Sequence, residues 1–270
     1  MAGRGPAPCP LGVNGGEFPH WSIERICDLA VKLGAEFVEL SVGRILGAGP
    51  VAVTDAARRR GLGVHVGSMV SELEAAFGAA DAVAAPLIVA VDDAIERADR
   101  SRRDSLEAFR TLAVGLLDRP GHESIRLALE NSVIRIARQP EDLLAVLAAV
   151  SHPRFGLNFD ADNFYNAGIE PFPYAYELLR AHVFQVHVKD SGRYLPTVHG
   201  AGRRVLHRAG GNMVCLPVGT GAVNWTGLIA RFQQDGYRGP VSLEPHLLPD
   251  EMAAAMEADA AFLRRAGWVR

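Results

Sequence analysis

Short apolar or β-branched runs recur eight times along the chain, with amphipathic helical patterns between them, and this alternation limits the fold more than any other feature. The runs lie at 9–13, 36–40, 62–66, 86–91, 125–131, 155–160, 183–188 and 240–244. Between them, WSIERICDLAVKLG has Ser22 placed to cap a helix and Gly34 to end it, and DSLEAFRTLAVGLLDRP runs out before Pro120. Strand and helix alternating in this way predict a closed (β/α)8 TIM barrel, and 270 residues suit a single domain of that kind. A doubly wound open sheet would use the same elements, but no glycine-rich phosphate loop follows the first run.

The longest stretch without a clear pattern, 191–222, carries Gly192, Gly200, Gly202, Gly210, Gly211, Gly219 and Gly221 and is expected to be a long loop insertion. Its Arg203, Arg204, His207 and Arg208 read as a solvated basic stretch rather than an anion grip. Over the whole chain, 28 basic and 31 acidic residues leave a net charge of −3 with no long run of either sign. That balance offers no footprint for nucleic acid or an anionic membrane, so a small molecule is the expected partner. Cys9, Cys27 and Cys215 are odd in number and lack metal-type spacing, which suggests reduced, buried thiols in a cytoplasmic protein. No stretch nears the roughly 20 apolar residues that cross a bilayer, and MAGRGPAPCP lacks the apolar centre of a signal peptide.

Within the runs, the polar positions are costly. In VFQVHVKD, Phe184, Val186 and Val188 share one face, and Gln185, His187 and Lys189 share the other. Leu127 and Leu129 likewise oppose Arg126, Ala128 and Glu130, and Leu157 and Phe159 oppose Gly156, Asn158 and Asp160. Glu39, His65 and Glu244 follow the same rule in their own runs. The apolar faces must dock helices, so the polar faces meet inside the barrel, and the last residues of each run lie at the mouth where such barrels place their sites. Glu130, Asp160, His187 and Glu244 all occupy such ends. Carboxylates gathered there unpaired would cost several kcal/mol or be forced to protonate. A divalent cation removes the conflict, and this oxygen-rich donor set suits Mn²⁺ or Mg²⁺, with Co²⁺, Fe²⁺ or Zn²⁺ as alternatives. The competing reading is a buried ion-pair network in which Arg126 and Lys189 neutralise the acids.

In order along the chain, LGVN, LGAEFVELSVG, GLGVHV, LALENS, LNFDADNFYNAG, VHVKDSGR, PVGTGAVNW and GYRGPVSLEPH resemble the xylose isomerase-like TIM barrel superfamily, in its sugar phosphate isomerase/epimerase branch. The likeness covers nearly the whole chain. It implies that Glu130, Asp160, His187 and Glu244 are metal ligands of the ketose 3-epimerase kind, holding one divalent ion, with Mn²⁺ the first choice. It also implies that Arg193 contacts the substrate or supports the ligands, and that the protein is a homo-oligomer. The position three beyond Asp160, commonly His in relatives, is Asn163 here, which replaces an imidazole by an amide. From His187 to Glu244 the chain runs 57 positions, longer than in compact epimerases, so substrate contacts in that stretch do not carry over. DNA-repair endonucleases of the superfamily use a histidine-rich zinc set, and Asn163 and the acidic charge balance argue against that activity.

The expected function is a divalent-metal-dependent isomerase or epimerase of a ketose or related polyol, acting through an enediolate. Glu130 and Glu244 would take and return the proton, and Lys189 would donate one to the enediolate or to a leaving hydroxyl. His65, Arg193, Asn163 and Asn158 are the candidate substrate contacts; the asparagines, with Asn131, are equally suited to orienting ligands. Glu39 is expected deeper, paired with a basic group, and Phe18, Trp21 and Trp225 near loop ends could wall the pocket. The same enediolate can lose water or CO₂, so the alternative is a lyase acting on a keto sugar, an inosose or an oxo sugar acid. A barrel that only bound sugar would need no such ligand set.

Overall fold

All eight expected runs form parallel strands, and they close on one another. The computed structural model describes residues 8–96, 98–133, 135–200, 205–208 and 211–270. In chain order its strands and helices are β1 (Leu11–Asn14), α1 (Ile23–Lys32), β2 (Phe37–Ser41), α2 (Val42–Ala48), α3 (Pro50–Arg58), β3 (Gly63–Met69), α4 (Leu73–Val83), β4 (Leu87–Val91), α5 (Arg102–Leu117), β5 (Arg126–Glu130), α6 (Pro140–Val150), β6 (Phe155–Asp160), α7 (Ala161–Asn166), α8 (Tyr176–Leu179) and β7 (Val183–Val188). Then come β8 (Asp190–Arg193), α9 (Pro196–His199), β9 (Val205–Arg208), β10 (Gly211–Leu216), α10 (Trp225–Gln234), β11 (Val241–Leu243) and α11 (Pro249–Arg265). The barrel order is β1-β11-β7-β6-β5-β4-β3-β2, with β1 pairing back to β2. Local chemistry sets the ends as expected: the Ser22 hydroxyl accepts the Arg25 N–H to cap α1, Gly34 ends that segment at φ +61°, and α5 stops before Pro120.

Alternation divides the side chains between two compartments. On β6 the outward Phe159 packs edge-on against Tyr176 of α8 and Phe232 of α10, with centroids 5.8 and 6.1 Å away. Burying such a ring contributes about 1.5–3 kcal/mol, enough to fix Asn158 and Asp160 as inward neighbours. Inside, Leu87, Val89, Ala128 and Phe184 make a small apolar cluster separate from the main core, and Phe37 stacks on His65 at 4.0 Å. Phe184, expected outward with Val186 and Val188, is turned inward by an irregularity in the β6–β7 register. Gly12 makes room for that Phe37 ring, because a Cβ there would lie 2.1 Å from it. The polar half of the barrel interior therefore lies toward the strands' C-terminal ends.

The 191–222 stretch is not an irregular loop. Strands β8, β10 and β9 form a three-stranded antiparallel sheet beside the barrel. Met213, Val214 and Cys215 are buried in it, an apolar run masked in the sequence by the surrounding glycines. Gly221 serves packing: buried Asp190 accepts the N–H groups of Gly219, Gly221 and Val223, and a Cβ on Gly221 would lie 2.1 Å from Asp190 Oδ1. Of the basic stretch, Arg203, Arg204 and the side chains of His207 and Arg208 lie outside the described residues, as do residues 1–7 of the opening segment. The three cysteines are buried and form no disulfide with one another, and among the described residues no helix is long and apolar enough to cross a membrane.

The segment after β10 is tied down by a second acid. Asp259 of α11 is buried and accepts the Val218 N–H at 2.7 Å, while its Oδ2 has no hydrogen-bond partner among the described residues, and burial raises its pKa to about 7. The folded state thus holds a proton that the unfolded chain releases near pH 4, so this group removes stability as pH rises from about 4 to about 7. Asp259→Asn keeps the accepting oxygen without the charge. It is expected to stabilise the protein by about 2–4 kcal/mol above pH 7 and by much less at pH 4, read from thermal unfolding across that range. A variant equally or less stable at pH 8 would refute the assignment.

Candidate metal centre

Four side chains from four strand ends meet inside the mouth. Asp160 and His187 are paired across β6 and β7, Glu130 ends β5 beside Asn158, and Glu244 follows β11 with its N–H on the Val188 carbonyl. One ligand atom from each of Glu130, Asp160, His187 and Glu244 falls within 4.8 Å of the other three, and all four residues are buried. Glu130 is oriented by two amides: Asn158 Nδ2 donates to its Oε2 at 3.0 Å and Asn163 Nδ2 to its Oε1 at 2.9 Å. Asn131 fixes Asp160 through the backbone, accepting its N–H at 2.7 Å and donating to its carbonyl at 2.8 Å. Asn14 Nδ2 donates to Glu244 Oε1 at 2.8 Å.

His187 is oriented from below. Its Nε2 lies 3.0 and 3.1 Å from the oxygens of Glu39, which also accepts from Gln185 Nε2 at 2.7 Å. With the Nε2 proton given to Glu39, Nδ1 turns its lone pair toward Glu130 Oε2 at 3.1 Å and Glu244 Oε2 at 3.2 Å. Among the described residues it has no aligned hydrogen-bond partner there, nor has Asp160 Oδ2. A lone pair facing two carboxylate oxygens is repulsive unless a proton or a cation stands between them. Burial works against charge on the ring, yet Glu39, Glu244 and Glu130 outweigh it and hold the His187 pKa well above the ordinary value. Those orphaned buried atoms and the three-carboxylate, one-imidazole set fit a divalent ion, which would take the place of that proton.

Lys189 supplies part of the missing positive charge. Its Nζ lies 2.7 Å from Asp160 Oδ2, not aligned for a hydrogen bond, and donates to Glu244 Oε2 at 2.8 Å. Burial raises the Glu244 pKa, but Lys189, His187 and His246 outweigh it and keep this carboxylate well below the usual range. Asp160 is pushed up, chiefly by burial and despite Lys189. The Lys189 ammonium and the His187 imidazolium together still leave the four carboxylates of Glu39, Glu130, Asp160 and Glu244 in excess. Arg126 gives no help, because its guanidinium lies over the Phe184 ring at 3.5 Å. The lysine half of the competing ion-pair network is therefore present and the arginine half is absent.

Comparison with known proteins agrees with this architecture. The sequence model described as Xylose isomerase-like TIM barrel matches residues 27–266. The chain belongs to that family. No curated protein matches the sequence significantly. Among solved structures, the chain is similar to the probable 3-DHS dehydratase AsbF from Bacillus anthracis, at 16% identity and TM-score 0.73, over 94% of this chain and 98% of that one. It is also similar to D-allulose 3-epimerase from Methylomonas sp. in complex with D-allulose, at 16% identity and TM-score 0.74, over 97% and 98%. A third is the IolI protein with a bound zinc atom, at 14% identity and TM-score 0.70, over 96% of each chain. At these identities the likeness establishes the fold.

Within this xylose isomerase-like barrel, some expected substrate contacts stand elsewhere. Gln185 precedes His187 by two on the inward face, and His65 hydrogen-bonds Gln185 Oε1 at 2.8 Å, a layer below the cluster. Arg193 is exposed on β8 and makes no hydrogen bond or ion pair to the cluster among the described residues. Asn158 and Asn163 spend their amide donors on Glu130 and the Asn131 carbonyl. Trp225 is buried, its Nε1 donating to the Lys189 carbonyl. Glu39 is closer to the chemistry than expected, as the carboxylate behind His187. Glu39→Gln is expected to weaken divalent-metal binding by about 10–100-fold, as loss of such a supporting carboxylate does. A manganese titration checks this, and unchanged affinity would remove Glu39 from the site.

Two residues were missed from the sequence. His246 lies two beyond Glu244 in SLEPH; its Nδ1 is 2.7 Å from Glu17 Oε1 and its backbone N–H donates to Glu17 Oε2 at 2.9 Å. One ligand atom from each of Glu17, Glu244 and His246 also lies within 4.8 Å of the others. Burial and Lys189 lower the His246 pKa, but Glu244 and Glu17 more than compensate. Its Nε2, 3.3 Å from Lys189 Nζ, can accept from the ammonium only when the ring is neutral. Glu17 is placed by the β1–α1 loop, which Arg44 fastens through the carbonyls of Gly15, Phe18 and Trp21. The histidine was readable as a polar residue beyond a strand end; Glu17 carried no sequence signal.

Proposed function

We propose that this barrel is a divalent-metal-dependent isomerase or epimerase of a ketose or related polyol. The observation that carries the reading is the convergence of Glu130, Asp160, His187 and Glu244 at one buried point. These four would hold the ion, Mn²⁺ being our choice for the oxygen-rich set. When bound, a divalent ion polarises a carbonyl and its neighbouring hydroxyl, which acidifies the adjacent C–H. Glu244 is kept ionised by Lys189, His187 and His246 and is suited to remove that proton. Glu130, steadied by Asn158 and Asn163, stands on a different strand and can return it to the other face of the carbon. Proton return to the same carbon gives an epimer; delivery to the next carbon gives an isomer. The Lys189 ammonium can protonate the enediolate oxygen.

The same ammonium favours one second reading. A buried, protonated lysine beside the base can instead give its proton to a departing hydroxyl, which would make the enzyme a dehydratase of a keto sugar, inosose or oxo sugar acid. Structures with this fold include proteins described as an epimerase and as a probable dehydratase. The test is incubation of the manganese-loaded protein with a panel of ketoses, inososes and oxo sugar acids in D₂O. Deuterium beside the carbonyl supports the enolising mechanism, and product mass then separates an epimer or isomer from a dehydrated product. Absence of both exchange and product across the panel would overturn the reading. We further propose a homo-oligomer, checked by light scattering.

A further inference from the structure

Lys189 and a bound metal would compete for the same oxygens. Its Nζ has three close acceptors: Asp160 Oδ2 at 2.7 Å, Glu244 Oε2 at 2.8 Å and His246 Nε2 at 3.3 Å. The first two belong to the proposed ligand set, so a divalent ion arriving there meets an ammonium already in place. Like charges sharing two oxygens repel, and in a buried site water screens them little. Only the third acceptor lies outside the metal cluster. His246 is held there by Glu17. It has a left-handed backbone at φ +50°, unusual for a residue other than glycine, with Glu17 accepting from its N–H and facing its Nδ1. When the ring is neutral, with Nδ1–H given to Glu17, Nε2 presents a lone pair to the lysine.

We propose that Glu17 and His246 are positioning residues for Lys189: they draw its ammonium off Asp160 and Glu244 when metal binds, and hold it beside the ion on the substrate's side. Lys189 is then the counter-cation of the metal-free protein and a proton donor of the loaded one. The proposal rests on the metal reading above. It also accounts for how a lysine can stand within a cation site.

The test uses Mn²⁺ alone, with no substrate, and reads its dissociation constant by electron paramagnetic resonance of the free ion. The proteins are wild type, Lys189→Met, His246→Ala, the Lys189→Met/His246→Ala double variant, and the milder Glu17→Gln and His246→Gln. Lys189→Met should bind Mn²⁺ about tenfold tighter, because a competing charge is gone. His246→Ala and Glu17→Gln should bind it about tenfold more weakly, because the displaced ammonium has lost its resting place, whereas His246→Gln, whose amide oxygen can accept, should recover most of the loss. In the Lys189→Met background, His246→Ala should have almost no effect, the mark of energetic coupling between the two side chains. Equal weakening by His246→Ala in both backgrounds would show a general structural role and overturn the proposal, as would unchanged or weaker binding in Lys189→Met. If His246→Ala does not fold, Glu17→Gln with and without Lys189→Met decides the question in the same way. Failure of the wild type to bind Mn²⁺ is a different result, which removes the metal reading and this inference together.

Discussion

Replacing Glu244 with Gln is expected to stop exchange of the carbon-bound proton with solvent, lowering turnover by about 10²–10⁴-fold, while the variant still binds some metal. The amide oxygen can keep the Asn14 contact to position 244. What it loses is the charge that Lys189, His187 and His246 maintain against burial, and with it the basicity that removes a proton. In the metal-free protein that carboxylate is held well below the usual range, so it should stay ionised until the medium is distinctly acid. The measurement is loss of the substrate proton signal in D₂O by nuclear magnetic resonance, with metal content determined on the same sample. Near-native exchange in a metal-loaded Glu244→Gln protein would take this residue out of the chemistry.

His187→Ala is expected to lose metal before it loses fold. The imidazole is the only nitrogen donor in the set, and Nδ1 stands between Glu130 and Glu244 at 3.1 and 3.2 Å. Its removal should weaken binding by at least the roughly 100-fold seen when only a supporting partner is lost. The stability cost is smaller. Glu39 would lose one partner but keep the Gln185 amide at 2.7 Å, a penalty of about 1–3 kcal/mol for an imperfectly satisfied buried group. A domain stable by about 5–15 kcal/mol survives that. Circular dichroism should therefore match wild type while metal analysis shows a depleted site; full occupancy in the folded variant would contradict the ligand assignment.

The barrel was legible because two periods agreed along the chain. Apolar positions every second residue marked eight strands, and the inverted polarity of QVHVK and LALEN showed which faces turn inward, failing at Phe184, where the β6–β7 register slips. The cluster followed from strand ends alone, since a closed barrel brings such ends together whatever the loops do. Other features depended on distance in space. Nothing local shows that Glu39 stands behind His187, because they are 148 residues apart and meet only across the barrel. Glu17 and His246 lie in loops, where no period fixes direction, and their pairing spans 229 positions. The sheet of β8, β9 and β10 was hidden by glycines that read as flexibility, although at Gly221 the lack of a Cβ lets the backbone close around Asp190. His65 shared the inward face of the ligands, yet the inward face is layered, and alternation gives the side without the depth.

The most direct test of the central claim is anomalous diffraction from crystals grown with Mn²⁺. One anomalous peak per chain is expected, within coordinating reach of Glu130, Asp160, His187 and Glu244, with Lys189 turned toward His246. No peak there, with the lysine nitrogen still resting on Asp160 and Glu244 at saturating manganese, would mean that the cluster is a buried ion-pair network.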